Sequence, residues 1–222
     1  GTVGTSVVKI LNDNKEMITA RAGREVIVTA GVVKNLAKER GLDIKLTDNP
    51  YDIVNDPEID VVVELMGGVD EAFEVVKTAL QNGKAVVTAN KALLAYHRYE
   101  LQDIAKDLPF EFEASVAGGI PIINALRDGL SANHIESIVG IMNGTSNYMM
   151  TKMTDDGVAY DAILKESQEL GYAEADPTFD VDGIDTAHKI AILGALAYGM
   201  EINLSDVCIE GISRITPLDV EF

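Results

Sequence analysis

The chain has 222 residues, 47% of them hydrophobic, which suits one large domain or two small ones with a buried core. Its 36 acidic against 18 basic residues give a formal charge of −18, a surface that repels phosphate backbones and anionic lipids, so neither nucleic acid nor membrane is an expected partner. The single cysteine, Cys208, excludes an internal disulfide and any multi-cysteine metal site. With no signal peptide visible and no apolar run near the roughly 20 residues that span a bilayer, the expected compartment is the reducing cytoplasm.

Residues 1–12, GTVGTSVVKILN, read as a glycine turn running into a short helix. The apolar, β-branched run 25–33 reads as a strand covered on both faces, followed by a helical turn over 33–41 that stops at Gly41. A loop and short helix over 49–59 lead to a second buried strand, 60–68. Residues 70–83 form an amphipathic helix, with Phe73, Val76, Ala79 and Leu80 on one face and Gly83 as its cap. A third strand spans 84–90, a helix follows from His97, and 110–116 is a fourth strand. Strands alternating with helices predict a Rossmann-type doubly wound parallel sheet.

Beyond the glycines at 118 and 119 the pattern changes to that of a second, α+β domain. The boundary is placed so that 1–120 is dinucleotide-binding and 121–222 is the catalytic part. Residues 135–142 read as a strand, and a polar loop at Asn143 opens a helix. An amphipathic helix over 158–171 presents Tyr160, Ile163, Leu164 and Ser167, and 186–200 is a helix apolar almost all round, hence buried. Residues 207–216 read as a last strand.

Gly1 and Gly4 are the tail of a G-x-G-x-x-G turn, in which the backbone of Gly1, Thr2, Val3 and Gly4 approaches a pyrophosphate seated on helix amides. Such a unit needs a strand before the turn, so the first strand and its leading glycine are expected to be missing here. After the 25–33 strand come Lys34, Asn35, Lys38 and Arg40, with no carboxylate before Glu39. An acid at the strand end would bind the ribose and repel a 2′-phosphate, so NADP(H) is favoured, with NAD(H) possible. In such sheets ligands bind beyond the carboxyl ends of the strands, which points to the loops at 65–68, 88–95 and 113–123. Lys91 stands just past a buried strand, where a cation can approach cofactor or an anionic substrate, or cap a helix. The glycine-rich end at 116–120, with Glu113 nearby, offers oxygen ligands to a hard monovalent cation. Asn143, Gly144 and Thr145 offer amide and hydroxyl groups to a small polar ligand, or an Asx-turn and N-cap.

The stretch Glu174 to Lys189, EADPTFDVDGIDTAHK, resembles a metal loop, but calcium fails. With Gly183 at position 6 of an EF-hand loop, Thr178 falls at position 1 and Lys189 at the position that needs a bidentate acid. A solvated acidic turn accounts for Asp176 and for Asp182 as a helix cap, yet not for Lys189. That lysine lies one turn after Asp185 on an otherwise apolar helix. Shielding disfavours its charge and adjacent carboxylates favour it, the setting of a proton donor and acceptor.

The blocks GTVG, VELMGG, TANKALLA, EASVAGGIPII, GIMNGTSNYM and ELGYAEADPTFDVDGIDTAHK, in order over essentially the whole chain, resemble homoserine dehydrogenase. The resemblance implies NAD(P)-dependent interconversion of L-homoserine and L-aspartate 4-semialdehyde, on the route to threonine, methionine and isoleucine. It assigns Lys189 as general acid/base, Asp185 as its orienting partner, and Lys91 to the nicotinamide side with a part in proton transfer. Glu174 and Asp180 would hold the substrate's ammonium. Glu113 and the carbonyls of Val116, Gly118 and Ile120 would form a sodium site, and the protein would be a homodimer or homotetramer. A different small-aldehyde or imine reductase on the same scaffold is the competing enzyme; the phosphorylating semialdehyde dehydrogenase is disfavoured because it needs a nucleophilic cysteine, and Cys208 lies far from the glycine loops.

Overall fold

The structure, a computed structural model, describes residues 1–221 and divides into two compact units. One comprises Gly1–Leu93 with His97–Phe112; the other runs on from Glu113 and takes in Leu94–Tyr96.

The first unit opens directly into helix α1 (Thr2–Asp13), followed by α2 (Lys15–Ala22), which ends at Gly23 in the left-handed conformation. Strand β1 (Ala30–Val32) pairs in parallel with β2 (Lys45–Thr47). The expected strand over 25–33 is thus much shorter, because its partner offers only a three-residue ladder, extended by Val33 N–H donating to the Thr47 carbonyl. The helical turn expected over 33–41 does not form. The Asn35 side chain accepts from Ala37 N–H, and the Arg40 guanidinium donates to the carbonyls of Asn35 and Lys38 (2.8 and 2.6 Å). Side chains thereby take the backbone groups that a helix would pair.

Helix α3 (Tyr51–Val54) leads to a three-stranded parallel sheet of order β3-β4-β5, built from β3 (Val61–Glu64), β4 (Ala85–Thr88) and β5 (Phe110–Glu111). Helix α4 (Asp70–Gln81) crosses from β3 to β4 and buries Ala72, Val75, Val76, Ala79 and Leu80. Phe73, expected on that face, is only half-buried, since the seam runs through Ala72 and Val75. Burying each valine or leucine of this seam contributes about 1.5–3 kcal/mol. Val62, Glu64, Val86 and Thr88 alternate inward, while Val61, Val63 and Val87 remain exposed; the period-2 pleat covers one face of these strands rather than both. Helix α5 (Lys91–Ala105) follows β4. The fourth strand, expected over 110–116, stops after Glu111, because Glu113 turns the chain into a 3₁₀ turn (Glu113–Ser115).

The second unit is helical among the described residues: α6 (Ile122–Asn124), a π-helical turn (Ala125–Gly129), α7 (Gly144–Asp156), α8 (Tyr160–Glu169), α9 (Thr178–Val181), α10 (Ile184–Tyr198), a 3₁₀ turn (Leu204–Asp206) and α11 (Pro217–Glu221). Met149 and Met153 of α7, Ile163 of α8 and Val181 of α9 form its buried centre. The two strands expected here are absent. Residues 135–142 meet no partner strand among the described residues, and Val139 is 94% exposed; an apolar stretch without a ladder partner leaves its backbone to water. At 207–216 the chain instead presses against the end of α9. Ile212 N–H donates to the Val181 carbonyl at 2.7 Å, and a Cβ on Gly211 would lie 2.6 Å from that same oxygen. The parallel α/β character is borne out in the first unit; the second unit shows the helices of an α+β domain without its strands. No described helix is long and apolar enough to cross a membrane.

Candidate active site

In the second unit, Asn143 is the N-cap of α7: its side-chain oxygen accepts from Ser146 N–H at 2.8 Å. Its amide nitrogen uses both hydrogens, one to Asp180 Oδ1 (2.8 Å) and one to Asp185 Oδ2 (2.9 Å). Asp185 lies in the first turn of α10, 4% exposed at its side chain, and its Oδ2 also receives Lys189 Nζ at 2.8 Å. Lys189 Nζ donates as well to the Met142 carbonyl at 2.6 Å. The spacing of four on one helix face sets the Asp185–Lys189 pair. Gly183 starts α10 at φ +81, where a Cβ would come within 3.1 Å of the Glu210 carbonyl, so both conformation and space call for glycine. The result is a nearly buried chain, Asp180–Asn143–Asp185–Lys189, with a lysine of 16% side-chain exposure at its end.

Asn143 is therefore both the expected N-cap and a brace between two carboxylates, with both amide hydrogens engaged within the protein. Gly144 begins α7, and the Thr145 hydroxyl donates to the Tyr172 carbonyl at 2.8 Å, fastening the 170–177 turn to α7. Gln168 donates to the carbonyl of Glu174 (3.0 Å), steadying the same turn, while Glu174 itself is exposed. His188, the residue next to Lys189, is buried with its ring edge-on to those of Tyr96 and Phe179. Glu113 accepts from Ile123 N–H (2.8 Å) and Asn124 N–H (2.9 Å), one bond to each oxygen, and the Ile120 carbonyl accepts from Ile122 N–H. Each of these oxygens retains a second lone pair, so the all-oxygen donor set expected at Glu113, Val116, Gly118 and Ile120 fits a hard cation.

In the first unit, α1 begins at Gly1 with no side-chain cap, leaving the amides of Thr2, Val3 and Gly4 outside the helix ladder. A Cβ on Gly1 would meet nothing within 4 Å, and one on Gly4 only Leu65 Cδ1 at 3.9 Å. Packing among the described residues does not require glycine at Gly4. The Leu65 contact also sets the glycine turn beside the loop after β3. Lys34 follows the end of β1 and is exposed. Lys91 is the first residue of α5, whose N-cap is Asn90, accepting from Leu93 N–H at 3.1 Å.

Three groups carry no role assigned from the sequence: the Met142 carbonyl, Gln168 and Glu64. Only Glu64 leaves a signal, as a lone carboxylate inside the apolar run VVVEL.

A family model described as "Homoserine dehydrogenase, NAD binding domain" matches residues 1–112, and one described as "Homoserine dehydrogenase" matches 121–222. The chain belongs to the homoserine dehydrogenase family. It is 51% identical, over its whole length, to homoserine dehydrogenase of Helicobacter pylori, and spans about half (53%) of that protein. A homoserine dehydrogenase structure from Thiobacillus denitrificans superposes with a TM-score of 0.96 at 53% identity, covering all of this chain and 52% of that one. A hyperthermophilic archaeal homoserine dehydrogenase, solved in complex with NADPH, matches 91% of this chain and 59% of its own at 28% identity and a TM-score of 0.70.

Proposed function

We propose that the full-length protein interconverts L-homoserine and L-aspartate 4-semialdehyde with a nicotinamide cofactor, in the biosynthesis of threonine, methionine and isoleucine. The observation that carries this is the Asn143–Asp185–Lys189 chain, which presents one ammonium from a nearly buried carboxylate. When bound, the cofactor supplies the hydride donor and acceptor. Lys189 then gives a proton to the aldehyde oxygen in reduction, or takes one from the hydroxyl in oxidation. Asp185 orients the ammonium, and Asn143 fixes Asp185. Glu174 and Asp180 attract the substrate's ammonium, with Gly144 and Thr145 shaping the polar mouth of α7. Lys91 serves the cofactor side and proton transfer.

The amides of Gly1, Thr2, Val3 and Gly4 receive the pyrophosphate. Lys34, exposed at the end of β1, favours a 2′-phosphate and hence NADP(H) over NAD(H); the archaeal relative's NADPH complex supports a nicotinamide cofactor. Glu113 and the carbonyls of Val116, Gly118 and Ile120 hold Na⁺, which supplies fixed positive charge to that turn. Residues 1–120 bind cofactor and 121–222 carry substrate and dimer contacts in a cytoplasmic homodimer or homotetramer. A spectrophotometric assay of the full-length protein with NADP⁺, homoserine and a panel of other hydroxy acids tests the reading; turnover confined to another hydroxy acid overturns it.

A further inference from the structure

We propose that Glu64 is a positioning residue that locks the two strand-end loops facing the cofactor, acting through Thr88 and Asn90. Glu64 ends β3 at 2% exposure, and Thr88 ends β4 at 0%. The parallel register sets them directly opposite each other. Thr88 Oγ1 donates to Glu64 Oε2 at 2.5 Å, and Met66 N–H donates to Glu64 Oε1 at 2.6 Å. Thr88 Oγ1 accepts in turn from Asn90 N–H at 3.0 Å. Asn90 then spans back: its amide donates to the Gly68 carbonyl at 2.7 Å while its oxygen caps α5 at Leu93.

One carboxylate thus holds both the 65–68 loop and the turn that delivers Lys91. The first of these loops lies against the glycine turn through Leu65. Gly68, at φ +87, holds a conformation that only glycine adopts freely, and its carbonyl is pinned by Asn90. A carboxylate suits this place because both of its neighbours donate; a glutamine can accept from only one of them. A buried acid costs more than an apolar residue at a strand end, and burial pushes the Glu64 carboxyl above its ordinary range against the hydrogen bonds that hold it down. What the acid orders in return is the pair of loops beyond the carboxyl ends of β3 and β4, where such sheets bind their ligands.

The proposal rests on the dehydrogenase reading for its cofactor, and the test separates the two. NADPH binding by fluorescence and steady-state turnover are measured on the full-length protein and on Glu64→Gln, Thr88→Val and Thr88→Ser. The expected result is an NADPH Kd raised about tenfold in Glu64→Gln and Thr88→Val, the scale of one lost hydrogen bond to a charged group, with Thr88→Ser restoring it. A merely structural role would lower the unfolding temperature without this serine rescue of Kd. An NADPH Kd unchanged in folded Glu64→Gln overturns the proposal. If that variant does not fold, the Thr88→Val and Thr88→Ser pair decides, equal Kd values overturning it. Wild-type protein that binds NADPH without oxidising homoserine overturns the substrate reading alone and leaves this Kd comparison intact.

Discussion

Lys189 Nζ lies 2.8 Å from Asp185 Oδ2, one helical turn along α10, and the carboxylate of that pair is also held by the Asn143 amide. The pair is therefore aimed rather than merely charged. Asp185→Asn keeps the shape and removes the charge that orients the ammonium. Turnover of the full-length protein should fall by about 10²-fold, the lower range for a disabled proton-transfer group, while cofactor Kd stays put. Steady-state kinetics with homoserine and NADP⁺, alongside direct cofactor binding, check this.

Asn143 donates both amide hydrogens to carboxylates and caps α7 with its oxygen. Asp and Ser are comparable N-caps. Asn143→Asp should nevertheless be less stable than Asn143→Ser by about 1–3 kcal/mol, because both lose the amide donor but only Asp places a third carboxylate against Asp180 and Asp185. Urea unfolding of the two variants measures the difference at neutral pH; equal stability would contradict the placing of two carboxylates against position 143.

Burial raises the Glu64 carboxyl above its ordinary 4.5, and the hydrogen bonds from Thr88, Met66 and Asn90 only partly oppose it. The folded state therefore binds the proton more tightly than the unfolded chain. Stability contributed at this site must fall as pH rises from 4.5 through the raised folded value. Glu64→Gln lacks this dependence, so its stability relative to wild type should increase across that window. Unfolding free energies of both proteins as a function of pH test it, and a flat difference contradicts the assignment.

Lys34 stands exposed after β1, in a turn whose Arg40 guanidinium is engaged by the carbonyls of Asn35 and Lys38. Lys34, the first cation after the strand, is the proposed reader of a 2′-phosphate. Lys34→Ala should lower the NADP⁺ to NAD⁺ ratio of kcat/KM by about tenfold, the worth of one charge-assisted contact to phosphate. An unchanged ratio removes Lys34 from coenzyme selection.

Local features were well marked in the sequence. Apolar runs marked the strands at Val62 and Val86, and the period of 3.6 marked the α4 seam at Val76, Ala79 and Leu80 and the Asp185–Lys189 spacing. Features that depend on distant partners were not legible. Residues 135–142 have the apolar content of a strand, but a strand exists only with a ladder partner. The helical turn over 33–41 lost to Asn35 and Arg40, whose side chains compete for the backbone. Asn143 could be read as a cap from its place before a helix, whereas its grip on Asp185, 42 residues away, required the fold.

The central claim is that Lys189 moves the proton at the reacting oxygen, and turnover of Lys189→Ala in the full-length protein tests it most directly. With homoserine and NADP⁺ the account predicts a loss of about 10³-fold or more in kcat, within the range for general acid–base catalysis, with NADPH Kd unchanged. Wild-type turnover in that variant would contradict it.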